Sequence, residues 1–308
     1  MVHGVIIVRK EKGMTSFGVV SRMRRIFDQK KIGHTGTLDP DAEGVLPVCL
    51  GKATRLVEQL SHGTKTYRAV LLLGTVTDTQ DASGKILETR EVNVTEEDVR
   101  SVLMGFTGKQ MQLPPMYSAL KVGGKKLVDL AREGREVERK EREVEFSGIE
   151  IHRIELPRVE FSVTCSHGAY IRTLCHDAGQ RLGCGACMET LLRTRVEEYT
   201  LDQAMTLSQI SAAKEAEDAA GADPSAYPFV LPPDHFYRDL PAAVTDPSFE
   251  QALLNGRPAP CRKVAGEGIS GLPDGARIRM YLKNGDFVGI YRKEDGFFRL
   301  ETFFYEIR

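Results

Sequence analysis

The chain has 308 residues, 41% of them apolar, enough for one large core and a second small one. Charged residues make up 28%, with 42 Lys and Arg against 43 Asp and Glu, so neither disorder nor a uniformly basic binder of nucleic acid is indicated. No apolar run approaches the roughly 20 residues of a membrane span, Met1–Lys10 is too short and polar for a secretory signal, and six scattered cysteines do not make a secreted scaffold. A cytoplasmic protein that makes no contact with membranes is expected.

Taken in chain order, Val5–Val8 is a β-branched run that predicts a strand. Thr15 or Ser16 can cap a helix carrying Val19, Val20, Met23 and Phe27 at helical spacing, with Arg22, Arg24 and Arg25 on its other face. Lys30–Asp41 is polar and glycine-containing, a loop. Val45–Leu50 and Lys65–Leu73 predict buried strands. Thr95 with Asp98 three residues on forms a capping-box pattern for a helix through Met104. Strands follow at Glu143–Ile151 and Arg158–Cys165, then a helix from about Ala169 to Leu182. Strands and helices mix without regular βαβ alternation, which predicts an α+β fold with a mixed, largely antiparallel sheet.

Ile210–Asp239 carries six acidic residues against two basic ones, with several prolines. Its first half can continue a helix, and its second half is expected to connect two domains. Beyond it, Ala276–Leu282, Phe287–Arg292 and Phe297–Phe304 predict short strands. Asn284-Gly285-Asp286 and Asp295-Gly296 between them are hairpin signals. The expected organisation is a domain at 1–210, a linker at 211–239 and a small all-β domain at 240–308. No internal repeat is present.

The most informative segment runs from Lys31 to Val48 and contains Gly33-His34-Thr35-Gly36-Thr37-Leu38-Asp39-Pro40-Asp41-Ala42-Glu43-Gly44-Val45-Leu46-Pro47. Pro40 restricts Asp39 to extended geometry, and the apolar strand after the loop sets the Asp39 carboxylate at a core edge. Taken alone, Asp-Pro is most often a turn. The whole string closely resembles the catalytic motif of the TruB family of tRNA uridine-55 pseudouridine synthases. The resemblance extends to Lys10–Ser16, Lys65-Thr66-Tyr67, Gly74–Asp81, Pro114–Lys121 and Gly168–Leu174, covering about residues 5 to 200. The terminal β module is similar to the PUA RNA-binding domain often fused there.

That resemblance implies an isomerase that breaks the N1–C1′ bond of uridine, rotates the base and rejoins it through C5. No atom is gained and nothing is oxidised, so no metal or cofactor is expected. It implies Asp39 as the catalytic carboxylate, acting at C6 of the base or at C1′. Arg172 is its expected counter-charge, because burial alone would raise the Asp39 pKa. Tyr67 is implied to stack on the target base and to be a candidate for handling the C5 proton; a strand aromatic is otherwise core. His34 is implied to meet the displaced nucleotides and Leu191 to line the pocket, although each also fits an ordinary loop or β-core position.

The expected partner is the T stem-loop of tRNA, bound by a monomer that requires no protein partner. The target uridine must leave its stack before chemistry. Lys10, Lys12, Arg22, Arg24, Arg25, Lys30 and Lys31 are candidate phosphate contacts. Lys121, Lys125 and Lys126, around a flexible Gly123-Gly124 pair, form a second group, which the resemblance places in a thumb-like insertion at about 109–142. Residues 1–60 hold ten Lys and Arg against six Asp and Glu, so a neutral chain can present a positive face. Cys184-Gly185-Ala186-Cys187 is a lone C-x-x-C without a second ligand pair, and is expected to be unligated. The acidic Gly74–Gly84 stretch lacks calcium-loop spacing. Arg9, Glu11 and Leu192 depart from the family pattern at positions that bear on individual RNA contacts. Two alternatives use the same features: a non-catalytic RNA-binding or tRNA-folding factor, and the catalytic subunit of a guide-RNA-dependent pseudouridine synthase. The fixed carboxylate favours an enzyme, and the compact chain favours one that acts alone.

Overall fold

The structure is a computed structural model that describes residues 1–223 and 227–306. The N-terminal β-branched run becomes β1 (Gly4–Lys10), buried at six of its seven residues. Thr15 caps α1 (Ser16–Ile26) by accepting a hydrogen bond from the Gly18 amide at 2.9 Å, and Val19, Val20 and Met23 face the core. The predicted loop after it contains a short strand, β2 (Ile32–His34). Its backbone finds an antiparallel partner in β3 (Glu43–Leu50), which the polar side chains alone do not signal. A short helix α2 (Val57–Ser61) leads into β4 (Lys65–Leu73), whose alternating burial matches a strand with one wet face.

A small hairpin, β5 (Thr75–Thr77) and β6 (Ile86–Thr89), precedes α3 (Glu96–Met104). Thr95 and Asp98 form both halves of the expected capping box on α3. Next come β7 (Gly108–Gln112), β8 (Lys121–Val122), β9 (Lys125–Lys126) and α4 (Leu127–Arg132). The expected flexible pair Gly123-Gly124 is instead the two-residue turn of the β8–β9 hairpin. Both residues have positive φ, 58° and 84°, as the mirror-image turn that suits strand twist requires. The long strand β10 (Arg142–Glu155) and β11 (Arg158–Cys165) then precede α5 (Ile171–Arg181), β12 (Ala186–Val196) and β13 (Tyr199–Thr200).

These strands form one mixed sheet in the order β1-β3-β12-β4-β11-β10-β7, with β2 paired to β3 and β13 to β12. Only β3 and β12 run parallel among its described pairs, so the sheet is largely antiparallel, as expected. β12, for which the sequence pattern predicts no element, lies beside the central β4. It joins the N-terminal strands to the rest through Leu192↔Glu43 and Arg193↔Gly44 on one side and β4 on the other. Gly44 permits this join. It has φ +115°, and a Cβ there would lie 2.1 Å from the Arg193 carbonyl oxygen.

The acidic, proline-containing segment is less of a free linker than its composition suggests. α6 (Leu207–Ala219) buries Ile210, and Leu231 exchanges backbone hydrogen bonds with Val5 on the edge of β1. Residues 224–226 lie outside the described residues. The second sheet contains β14 (Ala242–Thr245), β15 (Ala259–Pro260), β16 (Val264–Ala265), β17 (Arg277–Tyr281), β18 (Phe287–Glu294) and β19 (Phe297–Phe303). Its only described α-helix is the five-residue α7 (Glu250–Leu254), which follows β14. Ile290 and Phe304 from this part share a core with Val5, Ile7 and Tyr237, so the two sheets are packed on one another. None of the described helices is long and apolar enough to cross a membrane.

Candidate active site

Three segments meet above the central strands. The first is the β2–β3 loop, in which Asp39, Pro40, Asp41 and Ala42 form a turn closed by Ala42 N donating to Asp39 O at 3.1 Å. The turn expected from Asp-Pro is thus present, and it also aims the carboxylate outward. α1 holds this loop from one side. Ser16 Oγ accepts from the Leu38 amide at 2.8 Å and lies 3.1 Å from the Leu38 carbonyl, while Gly13 N donates to Pro40 O.

The second segment is the N-terminus of α5. Gln112 of β7 fixes it by exchanging two hydrogen bonds with the Tyr170 backbone, at 2.8 and 3.0 Å. The buried Arg172 emerges at the next turn. Its Nε lies 2.9 Å from Asp39 Oδ2, Nη1 donates to Thr79 O at 3.1 Å, and Nη2 donates to Tyr117 O at 3.0 Å. Asp81 Oδ2 is 3.6 Å from Nη1. One guanidinium therefore ties together the Asp39 loop, the turn after β5 and the Tyr117 segment.

That turn is the third segment. Asp81 accepts from the Thr79 and Ser83 hydroxyls and the Ser83 amide, and the backbones of Gln80 and Ala82 bond to Met188 of β12. The acidic stretch is an internally satisfied turn docked on the sheet. Among the described residues no group of three or more His, Cys, Asp and Glu side chains is arranged to hold a metal. The three segments, with β12 and α4, border a partly open cavity of about 400 Å³, lined by Asp39, Arg172, Asp81, Tyr117, Leu191 and Lys12 among others.

Asp39 is one-third exposed to this cavity. The protein around it raises its carboxyl pKa above the ordinary value; Arg172 opposes that rise and Asp81 adds to it. Tyr67 is buried on β4 beside Arg193, and burial raises its phenol pKa. His34, at the end of β2, accepts from the Gly36 amide at 3.3 Å, and burial together with Arg193 lowers its pKa. Leu191 is 9% exposed; it belongs to the core and to the cavity wall at once.

The candidate phosphate contacts divide. Lys12, Lys121, Lys125 and Lys126 are exposed, Lys12 at the cavity and the other three on the β8–β9 hairpin, where Lys125 lies 3.8 Å from Glu133. Lys10 does not behave as a surface contact. It is 1% exposed, and its ammonium donates to the carbonyls of Glu11, Pro40 and Ala42, clamping both sides of the Asp39 turn. Burial lowers its pKa to about 8.

Arg193 carries no signal in the sequence that marks it as a site residue. It is 1% exposed, with Nε donating to Val45 O at 2.7 Å and Nη2 to Gly36 O at 3.2 Å, so it spans the loop from beneath. It lies opposite Tyr67 in the β4–β12 register. Nothing in its local sequence separates it from the half-exposed Leu192 beside it; only the strand register does. Cys184 and Cys187 are buried and free, and burial pushes the Cys187 thiol up to about 11.

Two family models match the chain: "TruB family pseudouridylate synthase (N terminal domain)" over residues 24–171 and "tRNA pseudouridylate synthase B C-terminal domain" over 172–236. The chain is 42% identical to the tRNA pseudouridine synthase B of Alkaliphilus oremlandii (strain OhILAs), over 95% of this chain and 94% of that protein. It is 41% identical to the tRNA pseudouridine synthase B of Geobacter sulfurreducens, over 97% and 96%. Among solved structures, a chain of a Cbf5-Nop10-Gar1 complex is similar at 27% identity and a TM-score of 0.69, covering 98% of this chain and 85% of that one.

Proposed function

Because the chain belongs to the TruB family of pseudouridylate synthases, we propose that it isomerises uridine 55 in the T loop of tRNA to pseudouridine. The observation that carries this reading is the Asp39 carboxylate, held at 2.9 Å by a buried arginine at the wall of a cavity open to solvent on one side. The reaction breaks the N1–C1′ bond and makes a C5–C1′ bond, with a proton leaving C5 and one arriving at N1. An ionised carboxylate can add to the base or stabilise charge at C1′ in such a step. Arg172 keeps Asp39 ionised and aimed. Tyr67 supplies an aromatic face and a hydroxyl beneath the base, Leu191 an apolar wall, and His34 a side chain to meet the nucleotides displaced when the target flips out. The enzyme works in the cytoplasm as a monomer without a protein partner. The test is to incubate the purified protein with unmodified tRNA and map pseudouridine by position; tRNA left without pseudouridine at position 55 removes the proposal.

The raised Asp39 pKa gives the reaction an acid limb. The carboxylate must be ionised, so the single-turnover rate at saturating tRNA is expected to fall with decreasing pH from a midpoint above the ordinary carboxylate value of 3.8. A flat profile down to the ordinary range would remove Asp39 ionisation from the rate.

The β8–β9 hairpin is proposed to grip the T arm, with the 109–142 region as its thumb and the terminal β domain, residues 240–308, as a second RNA contact. Phosphate contacts release counterions, so affinity falls with salt in proportion to their number. Replacing Lys125 and Lys126 by Ala is expected to weaken tRNA binding and flatten the salt dependence by about two charges at most. Chemistry at saturating RNA should hold, since neither side chain lines the cavity. Binding isotherms at several salt concentrations check the first part, and single-turnover rates the second.

An isomerisation draws on no redox equivalent. Activity is expected to survive chelator treatment and the Cys184→Ala, Cys187→Ala double substitution. Loss on chelation that zinc specifically restores would assign the C-x-x-C a metal.

A further inference from the structure

We infer that Phe17 is a stacking platform for an unpaired base of the RNA substrate, set beside the catalytic loop; this rests on the functional reading above. Phe17 lies in the first turn of α1, yet it is 64% exposed, while the buried face of that helix is made by Ser16, Val19, Val20 and Met23. A phenylalanine so exposed contributes little to the core. Its place in the molecule is specific. Ser16, its chain neighbour, is locked to Leu38 by two hydrogen bonds, and Leu38 precedes Asp39. Phe17 thus follows directly in the chain on the residue that anchors the loop carrying the carboxylate.

The surroundings are those of an RNA contact. The Arg24 guanidinium lies 5.7 Å from the Phe17 ring centroid and donates to Ile32 O, while its Nε has no hydrogen-bond partner among the described residues. Arg22 and Arg25 are exposed on the same helix, and Lys12 stands exposed at the cavity. No carboxylate pairs with Arg22, Arg24 or Arg25 among the described residues. An exposed aromatic ring beside Arg24, on a helix that also presents Arg22 and Arg25 to solvent, offers a face for a base and charge for its phosphate. Extrusion of the target uridine leaves a neighbouring base without its stacking partner, which is the occupant this ring suits. A protein partner would meet an arginine-rich surface with little apolar area around one ring, a poorer fit.

The chain has no tryptophan, so Phe17→Trp introduces a sole indole reporter at the site. Quenching of that indole is expected on adding unmodified tRNA, and much less on adding an RNA duplex of equal length. Phe17→Ala is expected to raise the dissociation constant for tRNA by about 5- to 150-fold, the range of one lost base stack. Its single-turnover rate at saturating tRNA should change by less than about threefold, and Phe17→Tyr should restore affinity, because stacking accepts any aromatic face. Equal tRNA affinity of Phe17→Ala and the unsubstituted protein, or an indole indifferent to tRNA, overturns the platform while leaving the functional reading intact. Concentration-dependent self-association lost in Phe17→Ala assigns the ring to a second copy and overturns it too. Failure of the unsubstituted protein to bind or modify tRNA overturns both readings together.

Discussion

Asp39→Asn is expected to lower the single-turnover rate at saturating tRNA by at least about 10⁴-fold, the scale of loss when a reacting group is removed and its surroundings remain. The tRNA dissociation constant should change little, because the exposed lysines and arginines proposed to hold phosphates lie outside the Asp39 turn. Asn is nearly isosteric, and its amide oxygen can still accept from Arg172 Nε, so the three segments that meet at this arginine stay together. The substitution therefore tests charge and nucleophilicity rather than architecture. A linked effect on stability has a definite sign. Asp39 has a folded-state pKa above its unfolded value, so the folded state holds the proton more tightly, and ionisation costs stability as pH rises through that interval. Relative to the unsubstituted protein, the variant is expected to gain melting temperature as pH rises from below 3.8 to neutrality. Substantial turnover by purified Asp39→Asn would remove the carboxylate from the reaction, whatever its binding.

How far the sequence foretold this arrangement depends on whether a feature is local. The α1 cap at Thr15, the capping box at Thr95 and the hairpin around Asn284-Gly285 are short-range devices, and each forms where its residues stand. The strands with β-branched or alternating patterns form too. β2 and β12 were not legible: Ile32–His34 becomes a strand only because β3 lies beside it. Ala186–Val196 mixes polar and apolar residues because one strand serves core, cavity and loop at once. The same distinction holds at the site. The motif around Asp39 carried the carboxylate, and the resemblance carried its nearness to Arg172. The buried cations were illegible because lysine and arginine are surface residues on average. Lys10 and Arg193 are held by backbone carbonyls, Pro40 and Ala42 for one, Gly36 and Val45 for the other. Backbone acceptors have no residue type, so no sequence pattern announces them. Asp81 belongs to the same class. It read as one of several acids in a turn, and only the docking of that turn on Met188 brings it to 3.6 Å from Arg172.

Arg172→Met is expected to produce the second large loss, for a different reason. Met keeps the unbranched bulk but removes the charge between Asp39 and Asp81, along with the donors to Thr79 O and Tyr117 O. Two carboxylates then share the site without the cation that bridged them, leaving Lys10 as the weaker opposing charge on Asp39, and two carbonyls lose their partners. The cost in folding stability is about 2–3 kcal/mol, below that of a fully enclosed pair because Asp39 is one-third exposed. The kinetic signature separates this role from mere support. Burial already raises the Asp39 pKa, and Arg172 is the strongest influence lowering it, so the acid limb of the rate should move to higher pH in the variant. Near neutral pH the rate at saturating tRNA is expected to fall by about 10²–10³-fold, and raising the pH should recover part of it by ionising Asp39. Arg172→Lys keeps one charge without the fork, so its acid limb should shift less than that of Arg172→Met while its rate stays reduced by lost aim. Loss of rate with no shift of the acid limb in Arg172→Met, in protein shown by its melting curve to be folded, would make Arg172 a scaffold for the three segments and not the electrostatic partner of Asp39.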